Sequence, residues 1–280
     1  MPLSAPRQPT LMRSTQTLRD TQRPSSAWVG WGQWLALITM TVDHVTRYLM
    51  PYSWDVGWAS SSIGRIAFPL FAAMVAWHAL FNTRDPMRYA RRILVIGLLA
   101  QLPYMSMPRY GFQLNICFTL ALGLCWGTLL YELARRSLFT VSTNKHAWGK
   151  AIKAWLAVAA SLAIWWLVGP WVEYGHRGLL LIPFYMLALQ ALNQPAETLS
   201  ERLGATAATL PVLLVAGLMN NSDMAKAFTV ATCLAVLLLA AGAASRVPQI
   251  AAGARMPRKL WLAWYPGHFA AIAVLLHWPG

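Results

Sequence analysis

Apolar runs follow one another along almost the whole chain, separated by short polar stretches. They fall at 28–50, 63–81, 91–107, 112–133, 153–170, 178–193, 205–220, 225–244 and 260–278. Runs of this kind approach or match the ~17–25 residues a helix needs to cross a bilayer. The pattern predicts an all-α polytopic membrane protein with about nine transmembrane helices. Pro51, Pro86, Pro108, Pro170, Pro195 and Pro248 stand at run boundaries, where helices stop or start. Pro69, Pro103, Pro183, Pro211 and Pro266 stand inside runs, where neighbouring helices can satisfy the freed backbone groups. Residues 1–27 read as a basic tail and 28–280 as a single membrane domain without internal repeats. No short apolar run with a small-residue cleavage site precedes the first span, so that span is expected to act as an uncleaved insertion signal.

Composition agrees with the pattern. The chain is 57% hydrophobic and only 11% charged, more apolar surface than a soluble domain of this length can hide. The net charge of +14 first suggests a nucleic-acid partner. Sorting the basic residues by loop gives a simpler cause. The tail and the even-numbered loops hold 18 of them and the opposite loops hold 3, Arg109, Arg177 and Lys226. The positive-inside rule then predicts a cytoplasmic N-terminus and a periplasmic C-terminus, with no nucleic acid needed. Cys117, Cys125 and Cys233 all lie in apolar runs and form neither a disulfide framework nor a zinc pattern, so they read as small buried hydrophobes.

The costly residues are the polar ones inside the runs. Asp43 and His44 are adjacent in the first run, Arg47 follows one turn later, and Arg65 opens the second. A charge at the centre of a membrane helix costs roughly 2.5–3.5 kcal/mol on insertion scales and usually marks function. In the expected orientation Asp43 and His44 lie toward the outer face. Arg65, Gln101, Asn115 and Glu173 join them there from four other segments, and His268 lies near mid-depth. Taken singly, each has a plain structural role: an i,i+4 ion pair for Asp43 with Arg47, a snorkelling Arg65, a helix-start Asn115. Taken together they describe a proton-handling site. His44 has the chemistry of a general base that Asp43 would orient, and Arg65 or Asn115 would steady a carbonyl or oxyanion. No nucleophile elbow, phosphate-binding glycine loop, metal-spaced His pair or redox motif is present, which favours direct transfer from a bound donor over a covalent intermediate.

Several of these segments resemble the TraX family. They are Leu-Ala-Leu-Ile-Thr-Met-Thr-Val-Asp-His (35–44), Ile-Gly-Arg-Ile-Ala-Phe-Pro-Leu-Phe (63–71), Arg92 through Gln101-Leu-Pro103, Leu-Asn-Ile-Cys-Phe-Thr-Leu (114–120), Glu-Tyr-Gly-His-Arg-Gly (173–178) and Tyr-Pro-Gly-His (265–268). The resemblance runs in order from about residue 34 to the end and is weakest over 134–170 and 190–258. It implies a bacterial inner-membrane acyltransferase that moves an acetyl group from acetyl-CoA to the N-terminal amine of a conjugative pilin subunit at the periplasmic face. On that implication His44 is the base, Asp43 its orienter, Arg65 and Asn115 the carbonyl-holding groups, and Glu173 the site of the acceptor ammonium. His268 is the second choice as base, or a donor-channel residue. Arg84, Arg88, Arg91 and Arg92 would meet the donor's phosphates, although their topological role alone would explain them. No metal is expected. An acyltransferase for a cell-surface sugar hydroxyl, a non-catalytic pilus-assembly factor and a transporter remain as alternatives.

Overall fold

The computed structural model describes residues 24–109, 111–138 and 145–278, with backbone alone at 137–138, 145–148 and 150. Its helices are α1 (Ala27–Tyr48), α2 (Gly57–Ser61), α3 (Ala67–Trp77), α4 (Pro86–Met105), α5 (Ile116–Leu138), α6 (Lys145–Val168), α7 (Gly175–Leu192), α8 (Leu199–Ala207), α9 (Leu210–Leu218), α10 (Asp223–Ala240) and α11 (Arg258–His277). The only β pairing among the described residues is an isolated parallel bridge between Leu114 and Val172. The basic tail expected over 1–27 lies almost wholly outside the described residues.

Six helical segments among the described residues are long and apolar enough to cross a membrane: Gly57–Asn82, Ile116–Arg136, Ala151–Trp171, Leu199–Leu218, Asp223–Ala240 and Ala252–His277. The chain is an all-helical membrane protein, and the expected count of nine spans is corrected to these six. The other three expected runs are helices but fall short for physical reasons. α1 carries Asp43, His44 and Arg47, and α4 carries Arg88, Arg91, Arg92 and Gln101. α7 has 18 residues and spends its first three on Gly-His-Arg. Boundaries shifted as well. The second expected span begins early, at Gly57, and passes through a 3₁₀ turn at Ile63–Ile66 before α3. The seventh is two helices, α8 and α9, that meet at Ala208–Thr209.

The arginines expected in the second loop are mostly helical. Asp85 caps α4 by accepting from the Arg88 amide, and Pro86 occupies the first helical position, where its missing N–H costs nothing. Arg88, Arg91 and Arg92 therefore stand on the first two turns of α4, and only Arg84 precedes it.

α3 is the centre of the bundle. Every residue in it but Phe71 is buried, and Ala72, Ala73 and Ala76 let neighbouring helices approach closely. Trp28 on α1 packs edge-on against Trp77 at the far end of α3, with ring centroids 5.6 Å apart. Trp31 and Trp34 donate from their indoles to the carbonyls of Pro248 and Ala254, tying the segment before α11 to α1. Gly97 brings α4 against α5, since a Cβ there would stand 2.9 Å from that of Cys117. By contrast α6 shows Trp155, Leu156, Ile164, Trp166 and Leu167 outward, an apolar surface suited to lipid.

The chain direction sorts the polar residues. The end of α1, the approach to α3, the end of α4, the start of α5 and the approach to α7 meet at one end of the bundle. The end of α3 and the starts of α4 and α11 meet at the other.

Candidate functional site

Two histidines from opposite ends of the sequence meet in the bundle. His44 Nδ1 lies 2.7 Å from His268 Nε2, with the rings 10° from parallel and each residue only 8% exposed. His268 Nδ1 is 2.8 Å from the carbonyl oxygen of Trp264. A carbonyl only accepts, so the proton is on His268 Nδ1, and the neutral ring presents the lone pair of Nε2 to His44. His44 must then donate from Nδ1, which leaves the lone pair of its Nε2 free. One backbone carbonyl thus fixes the tautomers of both rings. Tyr265 and Phe269, one turn of α11 around His268, and Tyr104 from α4 complete the aromatic wall.

Asp43 stands beside this pair in a different role from the expected one. Its carboxylate accepts from Arg47 Nη2 at 3.0 and 3.2 Å and from the Ser60 hydroxyl, whereas the closest approach to His44 Nε2 is 3.8 Å. The carboxylate ties α1 to α2 and supplies negative charge near the free nitrogen of His44. It does not hold the imidazole by a hydrogen bond. The close approach depends on Gly64, where a Cβ would fall 2.6–2.8 Å from Asp43 side-chain atoms.

Three more charged groups face the same space. Arg65 donates from Nε to the Ser60 carbonyl at 3.1 Å and from Nη1 to the Tyr174 hydroxyl at 3.5 Å. Arg109 sits over the Tyr104 ring, its guanidinium carbon 3.4 Å from the centroid, and donates from Nη2 to the Tyr48 hydroxyl. Glu173 is placed by backbone bonds. Leu114 donates to the Trp171 carbonyl, and the Glu173 amide donates to the Leu114 carbonyl. Tyr174, in the left-handed region at φ 61°, stacks on Phe68 and turns the chain into α7. Burial pushes the Glu173 carboxyl above the usual carboxylate range, Arg47, Arg109 and Arg65 pull it back, and Asp43 pushes with burial. Its oxygens make no hydrogen bond or ion pair to another described residue, so the carboxylate is available to a cation.

Asn115 is brought to the site but is fully engaged. It is 0% exposed; Nδ2 donates to the Gly97 carbonyl and to Gln101, and Oδ1 caps α5 by accepting from the Cys117 amide. Both amide hydrogens are used in joining α4 to α5, so no donor remains for a substrate carbonyl.

The expected arginine cluster lies at the opposite end, and a cleft runs from it toward the site. About 1160 Å³ in volume, it is bordered by Arg84, Arg88, Arg91 and Arg92 at the start of α4, with Arg258 added from α11. It then follows apolar walls that include Phe71, Val75 and Leu120, and reaches Ile116, Cys117 and Tyr265. Tyr265 is the residue whose ring packs on His268. A π-helical turn at His78–Asn82 forms part of the arginine end. The guanidinium groups at the mouth of the cleft have the donor geometry that suits a phosphate or carboxylate. No group of three His, Cys, Asp or Glu residues among the described ones could hold a metal.

A family model described as TraX protein matches residues 32–276. The chain belongs to the TraX family. No curated protein and no solved structure matches it. Family membership implies a role in conjugative pilin processing. In this TraX-family chain the matched region includes every site residue named above. Sequence reasoning missed Ser60, Tyr104, Arg109, Trp264, Tyr265 and Arg258. Tyr265 carried a usable signal, being three residues from His268 and so on the same face of one helix.

Proposed function

We propose that this protein is an acetyl-CoA-dependent N-acetyltransferase of the bacterial inner membrane that modifies the N-terminal amine of a conjugative pilin subunit. The observation that carries the reading is the arginine-bordered cleft that ends at the wall of the His44–His268 pair. Arg84, Arg88, Arg91, Arg92 and Arg258 hold the donor's phosphates, and the apolar walls take its tail. Glu173 holds the acceptor's ammonium until it loses its first proton to solvent, and His44 Nε2 accepts the second proton, released as the amine attacks. The positive charge on His44 is met by Asp43 at 3.8 Å, and the Nδ1 proton can shift to His268, spreading the charge over two rings. Arg65 and Arg109 frame the acceptor side. By the positive-inside rule the arginine end would face cytoplasmic donor and the Glu173 end the periplasmic acceptor.

Intact-mass measurement of the pilin from cells with and without this protein tests the reading. The expected result is one acetyl group at the pilin terminus that disappears with the protein. A pilin mass that does not change overturns it.

A further inference from the structure

Among the membrane-spanning segments, α6 is the least covered by the rest of the chain, with 6% of the span Ala151–Trp171 buried. Its contact with α5 is fixed at one point. Trp126 stacks on Trp165 with ring centroids 5.8 Å apart and donates from its indole to the Ser161 hydroxyl at 3.1 Å. Ser161 in turn donates to the Val158 carbonyl at 2.7 Å. Beside this contact a groove of about 500 Å³ runs between the two helices. Leu122, Cys125 and Leu129 of α5 and Ile164 of α6 give it apolar walls.

One end of the groove is charged. Glu132 and Arg136 of α5 border it, together with Met87 from the first turn of α4. Arg136 Nε stands 3.8 Å from Glu132, and the Arg136 side chain is 79% exposed. Arg135 lies beside it in the same last turn and is exposed too, so two cations meet one acid there. The groove is separate from the arginine-bordered cleft. At about 100° per residue, Ile116, Cys117 and Leu120 face the cleft and Leu122, Cys125 and Leu129 point roughly the opposite way.

The dimensions select the occupant. From Leu122 to Arg136 the groove follows α5 for roughly 21 Å, which leaves a mean cross-section of roughly 24 Å². A helix with its side chains, ~10–12 Å across, needs roughly 80–110 Å². An extended peptide would enter with backbone N–H and C=O groups that apolar walls cannot satisfy. A single file of methylene groups meets both limits, and basic pockets between membrane helices suit anionic lipid headgroups. We propose that the groove holds one acyl chain of an anionic glycerophospholipid, with its phosphate at Arg135 and Arg136. The bound chain fills the gap between α5 and α6 and gives α6 the packing that the protein itself does not supply.

The test is native mass spectrometry of the full-length protein, stripped of lipid in detergent and titrated with phosphatidylglycerol or phosphatidylethanolamine. One phosphatidylglycerol is expected to bind ahead of any further lipid, and more tightly than phosphatidylethanolamine. Leu129→Trp fills the groove from a position 39% exposed, and Ile164→Trp does so from the facing wall, 59% exposed. Neither disturbs a buried side chain, so melting in lipid-free detergent should be unchanged. Each should weaken phosphatidylglycerol binding roughly 10-fold or more, the factor for losing the burial of about two methylene groups. Arg135→Gln with Arg136→Gln should keep the lipid but reduce the preference for phosphatidylglycerol roughly 5-fold or more. Equal lipid binding by the wild type and both tryptophan variants overturns the proposal. So does a wild type without preference between the two lipids. A wild-type dimer that either tryptophan variant breaks also overturns it and assigns the groove to a second copy of the chain.

Discussion

The two ends of the bundle use the same side chain in opposite ways. At the polar end, Arg47, Arg65 and Arg109 are each fixed: to Asp43, to Ser60 and Tyr174, and to the Tyr104 ring. At the other end, Arg88 is largely exposed and shares only a loose contact of 3.6 Å with Asp85. Guanidinium groups that are already bonded shape a pocket and set its field. Guanidinium groups left in water retain their donors for a ligand that arrives. On the acetyltransferase reading, one set would hold the reaction geometry and the other would gather the donor's anion.

The contrast breaks most sharply at Asp43. Asp43→Ala removes the partner of Arg47 and of the Ser60 hydroxyl, and unpairing a buried ion costs about 3–5 kcal/mol. Because the Arg47 side chain is 36% exposed, the lower part of that range is expected. Melting in detergent should show a clear drop with loss of activity, and an unchanged melting temperature would mean the fixed set is not structural.

The opposite behaviour is expected at the mouth. Arg88→Ala with Arg92→Ala should leave melting and kcat unchanged while raising the donor's KM roughly 10–100-fold, since a hydrogen bond to a charged group is worth about 1.5–3 kcal/mol. Added salt should weaken donor binding in the wild type and matter less in the double variant. A kcat defect with normal donor binding would place the donor elsewhere.

The smallest effect is expected at Glu173, which sharpens the comparison by titrating one end alone. Glu173→Gln should raise the acceptor's KM several-fold, roughly 1 kcal/mol in a partly wet site, and leave the donor's KM unchanged. An ammonium needs the ionised carboxylate, and burial raises this carboxyl above the ordinary range. As pH falls through that raised value, the wild type should lose acceptor affinity at a higher pH than an ordinary carboxylate would allow. The Gln variant should lack that limb, and a limb that persists would assign it to another group.

Much of this was legible in the sequence, and the failures have physical causes. Apolar period and proline punctuation found nearly every helix. The count of spans failed at α1, α4 and α7, because helices that line a polar site carry the charges that lower their hydropathy. Loop position gathered Asp43, His44, Arg65 and Glu173 correctly, as charge and depth are linear along the chain. What each does depends on pairing across helices. His44 is tied to His268, 224 positions away, and a backbone carbonyl at Trp264 sets the tautomer, which no residue identity announces. The i,i+4 spacing gave the Asp43–Arg47 pair, but Asp43 does not hydrogen-bond its neighbour His44, because adjacent residues on a helix do not face each other, and its further partner, Ser60, comes from another helix. Asn115 looked catalytic because it is polar and buried, and its amide proved to be spent at a helix start.

Acetyl transfer to a pilin-terminal peptide by purified wild-type and His44→Ala protein, with acetyl-CoA binding measured in both, tests the central role of the histidine pair most directly. The expected result is one acetyl group added by the wild type, and a variant that binds donor normally but transfers roughly 10²–10⁴-fold more slowly. Near-normal transfer by His44→Ala would contradict it.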